Sequence, residues 1–143
     1  MASEQLREAI GNGELVCYFQ PKISMRSGRV VGAEALVRWD NPTRGLLPPA
    51  EFIGLAEQTG LMGPLSSFVL GHALAECRKW HDAGHVIGVA VNLSVSDLLD
   101  TKLPDKVAGL LSSSGLSPDR LVLEITENAI MVDPCLLYTS RCV

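Results

Sequence analysis

Short apolar stretches of extended character alternate with amphipathic helical ones along this chain, and that order restricts its fold more than any other feature. A first helix is expected from about Ser3 to Ile10, with Ser3 as its cap and Leu6 and Ile10 facing inward, before Gly11-Asn12-Gly13 stops it. A strand follows over Leu15 to Gln20, the chain reverses at Ser27-Gly28, and a longer strand runs from Arg29 to Trp39; so short a connection implies antiparallel pairing. Asn41 to Pro49 reads as a loop, with Pro49 opening a helix to about Thr59 that Gly60 closes. From Pro64 to Ala83, Leu65, Phe68, Val69, His72, Ala73, Cys77 and Trp80 recur at spacings of three and four and give a helix one apolar stripe. A strand (Val86 to Leu93), helical segments near Ser96 to Leu99 and Pro104 to Leu111, and a strand from Leu121 to Thr126 complete the pattern. The fold class is α/β, with right-handed crossovers and a largely parallel sheet after the opening hairpin.

Composition narrows the function. Of 143 residues 47% are apolar and 20% charged, enough to build a core, and a net charge of −4 offers no basic stripe to follow a nucleic-acid backbone. DNA and RNA are therefore not expected partners. No apolar run reaches the roughly 18 to 20 residues of a membrane span, and Met1-Ala2-Ser3-Glu4-Gln5 lacks the basic and apolar parts of a signal peptide, so the expected location is cytoplasmic. Cys17, Cys77, Cys135 and Cys142 stand far apart without a CxxC pair; reduced thiols are expected, with Cys17 and Cys77 packed in the core.

Each apolar strand carries one polar group near its C-terminal end. Alternation places Glu34 with Gly32, Leu36 and Arg38, opposite Val31, Ala33, Ala35, Val37 and Trp39; Asn92 lies with Gly88, Ala90 and Ser94; Glu124 lies with Val122 and Thr126; and Gln20 follows Tyr18. Buried carboxylates need a partner or a metal, and in parallel α/β folds the strand C-termini gather on one rim. Two carboxylates and an amide, without His or Cys, suit a hard cation such as Mg²⁺ or Mn²⁺ better than zinc. Taken singly, Glu34 has the alternative of pairing with Arg38, Asn92 of bonding a turn, and Glu127 of being an exposed helix-start residue or a support for its neighbours. His72 reads as a core residue, and His81 and His85 flank a helix end at Gly84 rather than forming a metal pair.

At Gly32-Ala33-Glu34-Ala35-Leu36-Val37-Arg38-Trp39 the chain resembles the EAL domain, the cyclic di-GMP phosphodiesterase family named for Glu-Ala-Leu. Tyr18-Phe19-Gln20-Pro21, Glu51-Phe52-Ile53-Gly54-Leu55-Ala56-Glu57, Val91-Asn92-Leu93-Ser94 and Leu123-Glu124-Ile125-Thr126-Glu127 resemble further signatures of the family in the same order, over about Glu14 to Pro134. The resemblance implies a modified TIM barrel with an antiparallel first strand and hydrolysis of cyclic di-GMP to linear pGpG with two divalent cations. It implies Glu34, Asn92 and Glu124 as ligands of Mg²⁺ or Mn²⁺, Gln20, Leu36 and Arg38 as substrate contacts, Glu57 near the pocket and Glu127 supporting a neighbouring loop.

Gly54 stands where the family usually has Pro. After Met131-Val132-Asp133-Pro134 the family continues to Asp-Asp-Phe-Gly-Thr-Gly and then a Lys, a Glu and a Gln, whereas this sequence ends Cys135-Leu136-Leu137-Tyr138-Thr139-Ser140-Arg141-Cys142-Val143. The expected organisation is a lead-in helix (1–13), the N-terminal half of the domain (14–134) and a non-matching tail (135–143). About four strands of a barrel that takes about 250 residues leave open sheet edges, which favour assembly with another chain, a homodimer through this domain included. A truncated or frame-shifted product without significant turnover is expected. The alternative to an enzyme ancestor is a non-catalytic EAL-type module that binds cyclic di-GMP or another protein and relays a signal.

Overall fold

The computed structural model describes residues 2–125; Thr126, Glu127 and the tail with Cys135 and Cys142 lie outside the described residues. Helix α1 (Ala2–Asn12) leads into strand β1 (Leu15–Ile23), and β2 (Val30–Asn41) returns beside it. A short strand β3 (Gly45–Leu47), a 3-10 turn (Pro49–Glu51), α2 (Ile53–Thr59) and α3 (Met62–Asp82) precede β4 (Gly88–Leu93). Then follow α4 (Val95–Leu99), α5 (Leu103–Ser114), a second 3-10 turn (Pro118–Arg120) and β5 (Leu121–Ile125).

The sheet order is β1-β2-β4-β5, with β3 beside the far end of β2. β1 and β2 pair antiparallel, while β2 with β4 and β4 with β5 are parallel. This is the α/β, incomplete TIM-like arrangement expected, with its first strand reversed. Pro21 is accommodated in β1 because that strand has one sheet partner among the described residues, so the missing N–H is no loss on its other side.

One face of the sheet is apolar and covered. Leu15, Cys17, Ala33, Ala35, Trp39, Val89 and Val91 are buried, and α3 lays Leu65, Val69, Leu70, Ala73, Leu74 and Cys77 against this side. Leu6 and Ala9 of α1 and Phe52 and Ala56 of α2 close its flank. The indole of Trp39 meets Phe52 edge-on at 6.0 Å and donates through Nε1 to Glu14, tying the end of β2 to both α2 and the start of β1. His72 lies 6.3 Å from Phe19 and 5.6 Å from Phe68, centroid to centroid, a packing role. His81 donates from Nε2 to the carbonyl of Ile87, and His85 is exposed.

Three local expectations are corrected. Ser3 lies inside α1 rather than capping it, since the helix already includes Ala2. Asn41 to Pro49 is not wholly a loop: Asn41 Oδ1 accepts from the Thr43 and Arg44 amides and from Thr43 Oγ1, and the turn so formed returns Gly45–Leu47 as an antiparallel partner of Trp39–Asn41. The segment after Pro49 is not one helix, for the chain breaks at Phe52 between the 3-10 turn and α2 as that ring turns into the core. α2 ends as expected at Gly60, whose φ of 75° is the left-handed geometry that glycine adopts without strain.

Gly88 opens β4 where β5 is entered, and a Cβ there would stand 2.9 Å from the Arg120 carbonyl oxygen. Gly88→Ala must therefore displace one strand and is expected to cost about 1–3 kcal/mol. Gly54→Ala, in α2 with open space around it, is expected to stabilise by roughly 0.5–1 kcal/mol. Urea unfolding midpoints of the two variants, moving in opposite directions, check both.

Burial, and secondarily the Glu76 carboxylate, push the Cys17 thiol up to about 12 from 9.0. The folded state thus favours the neutral thiol. Its contribution to stability is complete below about pH 9 and is lost as pH rises through about 12. Unfolding midpoints measured from pH 8 to pH 11 are expected to fall less steeply in Cys17→Ala than in the parent chain.

Candidate functional site

The uncovered face of the sheet holds the polar residues, because alternation sends them away from α3. The expectation that all lie near C-terminal strand ends is corrected: Glu34 is the fifth of the twelve residues of β2, and Gln20 lies in the reversed strand β1, so they share a face rather than one rim. Register then sets them side by side. Gln20 lies directly opposite Glu34 across β1 and β2, and Asn92 directly opposite Glu124 across β4 and β5. Glu34 is level with Ala90, one side-chain step below Asn92 on the same face. The step is bridged: Asn92 Nδ2 donates to Glu34 Oε2 at 3.1 Å.

Pairing of β2 with β4 is confined to Gly32–Glu34 and Gly88–Ala90. Beyond it the strands part, Leu36 on one bank and Asn92 on the other, and a cavity of about 510 Å³ opens between them toward α2 and α3. Glu57 from α2, Ser66 and Val69 from α3, and Ser94 share its lining. Ser94 is held in place by the helix it starts: its Oγ accepts from the Asp97 amide while Asp97 Oδ2 accepts from the Ser94 amide and hydroxyl, a capping box that leaves the buried Asp97 carboxylate satisfied. Leu36, Asn92 and Glu57 thus line one cavity.

Arg38 is one side-chain step beyond Leu36. Its Nη1 donates to the Val37 carbonyl at 2.8 Å, so the guanidinium folds along its own strand and does not pair with Glu34. The local Glu34–Arg38 alternative is therefore not realised. A cation does reach the face from elsewhere: Lys22 Nζ in β1 meets Glu124 Oε1 in β5 at 2.5 Å. Lys22 carries no sequence signal for this contact, since it depends on the sheet curling enough to bring its first and last strands together. Glu127 lies outside the described residues.

The donor set fits a hard cation in kind. Glu34 and Glu124 supply carboxylate oxygens, and a half-turn of the Asn92 amide about its last bond exchanges Nδ2 for Oδ1 on the side of Glu34. Among the described residues no three His, Cys, Asp or Glu side chains gather as a metal site by themselves, so these three groups make part of a coordination sphere.

A curled, mostly parallel sheet with helices on its outer side and oxygen donors on its inner face defines a (β/α)-barrel type of domain. The particular family follows from comparison: the EAL domain profile matches residues 3–136, and the chain belongs to that family. An uncharacterized signaling protein of Caulobacter vibrioides is 44% identical over 131 residues, which are 92% of this chain and 16% of that protein. The bifunctional diguanylate cyclase/cyclic di-GMP phosphodiesterase MucR of Pseudomonas aeruginosa is 40% identical over 129 residues, 90% of this chain and 19% of MucR. The structure of the MucR phosphodiesterase in complex with c-di-GMP superposes with a TM-score of 0.88 at 38% identity, over 94% of this chain and 56% of that one. The FimX EAL domain from P. aeruginosa bound to c-di-GMP superposes with a TM-score of 0.83 at 27% identity, over 93% and 53%. The chain thus spans less than a quarter of these curated relatives and little more than half of the solved domains. No helix among the described residues is long and apolar enough to cross a membrane.

Proposed function

We propose that this chain is the N-terminal portion of a metal-dependent cyclic di-GMP phosphodiesterase, which hydrolyses the cyclic dinucleotide to linear pGpG. The observation that carries this reading is the placement of Gln20, Glu34, Asn92 and Glu124 on one face, in adjacent register, within a fold whose relatives include a phosphodiesterase solved with c-di-GMP.

Hydrolysis adds water to one phosphorus and breaks its bond to the 3′ oxygen, which leaves as a hydroxyl, so linear pGpG keeps a 5′ phosphate. Glu34, Asn92 and Glu124 would hold Mg²⁺ or Mn²⁺, which would supply Lewis-acid chemistry for activating water and offsetting phosphate charge. The remaining residues bind and orient. Arg38 swings from the Val37 carbonyl to grip a phosphate through two parallel hydrogen bonds. Gln20, beside Glu34, offers amide donors to the sugar-phosphate backbone. Leu36 gives the ligand an apolar edge in the cavity, where Glu57 offers an acceptor.

A direct test exchanges residues 3–125 for the matching stretch of the MucR phosphodiesterase domain. The chimera is expected to release linear pGpG with Mg²⁺ or Mn²⁺, and Glu34→Gln or Glu124→Gln in it to lower the rate at least about 100-fold. The isolated chain is expected to give no turnover. A folded chimera that binds cyclic di-GMP without cleaving it would support the binding-module alternative and overturn the catalytic reading.

A further inference from the structure

Five ion pairs are formed among the described residues, and four join near neighbours in sequence: Arg44 with Glu51, Arg78 with Asp82, Lys79 with Glu76, and Lys106 with Asp100. Lys22 with Glu124 differs. It links residues 102 positions apart, from the first strand of the sheet to the last, and it ends on one of the carboxylates assigned to the metal. Its path is open because the residues level with Lys22 on the two intervening strands, Gly32 and Gly88, carry no side chain, and the next one up β4 on that face is Ala90. The ammonium therefore crosses the floor of the curled sheet.

Electrostatics explains what it does there. Two carboxylates on one concave face repel each other unless a positive charge stands with them. Arg38 is turned away to the Val37 carbonyl, and among the described residues Glu34 takes a neutral amide from Asn92 and the cation that pairs with a carboxylate on this face is Lys22. We propose that Lys22 is a built-in counter-ion that competes with the divalent cation for Glu124: metal binding displaces the ammonium, and metal loss lets it return. Lys22 is thus a positioning residue that sets metal affinity and keeps Glu124 on the inner face between turnovers. The inference rests on the metal-site reading above and adds a residue to it.

A purely supporting strut and a competitor predict opposite signs. If Lys22 competes, Lys22→Met leaves Glu124 free and tightens cation binding; if it only holds Glu124 in place, the same change weakens it. The pair is partly solvated, with side-chain exposures of 44% and 32%, so the expected gain in affinity is roughly two- to fivefold. The measurement is titration of the full chain with Mn²⁺ alone, followed by the EPR amplitude of free aqueous Mn²⁺, with circular dichroism and urea midpoints as a check of folding. Lys22→Gln, which keeps a polar side chain on the exposed strand, is expected to match Lys22→Met, and Lys22→Arg to stay near the parent value. In a Glu124→Gln background the gain is expected to vanish. Equal or weaker Mn²⁺ binding by folded Lys22→Met and Lys22→Gln would overturn the competition while leaving the metal site intact. Failure of every folded protein, parent included, to bind Mn²⁺ would reject the site and this proposal together.

Discussion

Burial of one face of the sheet against α3 is the interaction on which the rest depends. Side chains alternate along each strand, so once Val89 and Val91 are committed to the helix layer, Ala90 and Asn92 have no choice but the other side. The same holds for Ala33 and Ala35 against Glu34, and for Cys17 and Phe19 against Gln20. A one-residue slip of any strand would bury its polar group among the leucines of α3 and expose its apolar ones. Strong hydrophobic selection of register is therefore also what aligns the polar residues, and the site is assembled by the core rather than by its own attractions.

Its members repel or compete until something compensates them. The carboxylate of Glu34 is met by the Asn92 amide and that of Glu124 by the Lys22 ammonium, both across strands rather than along them. Parting of β2 from β4 just above Glu34 gives the face depth, since the cavity it opens runs back toward α2 and α3. The face is thus a graded one, with anionic oxygens of Glu34 and Glu124 on the sheet, an apolar hollow beside them, and Arg38 farther along β2.

Much of this was legible from residue order alone. Strand alternation located Gln20, Glu34, Asn92 and Glu124 on shared faces because the period of two is strict, and the i, i+3, i+4 stripe of α3 identified the helix that covers the opposite side. What escaped depended on geometry that no local pattern encodes. β3 escaped because its three residues are specified by the side chain of Asn41 gathering a turn, a signal hidden within a proline-rich stretch. The break at Phe52 escaped because the ring's burial overrides a helical sequence context. Lys22 escaped because its partner is brought near by the curl of the whole sheet, a property summed over four strands.

The central claim is that Glu34, Asn92 and Glu124 act together on one cation on the inner face of the sheet. Paramagnetic broadening by Mn²⁺ in amide-detected NMR measures this residue by residue. At substoichiometric Mn²⁺ the account predicts that the Asn92 side-chain amide and the backbone amides of Glu34 and Glu124 broaden first, while those of α3 stay sharp. Broadening that begins instead at exposed carboxylates of the helices, such as Asp82 or Asp105, would contradict it.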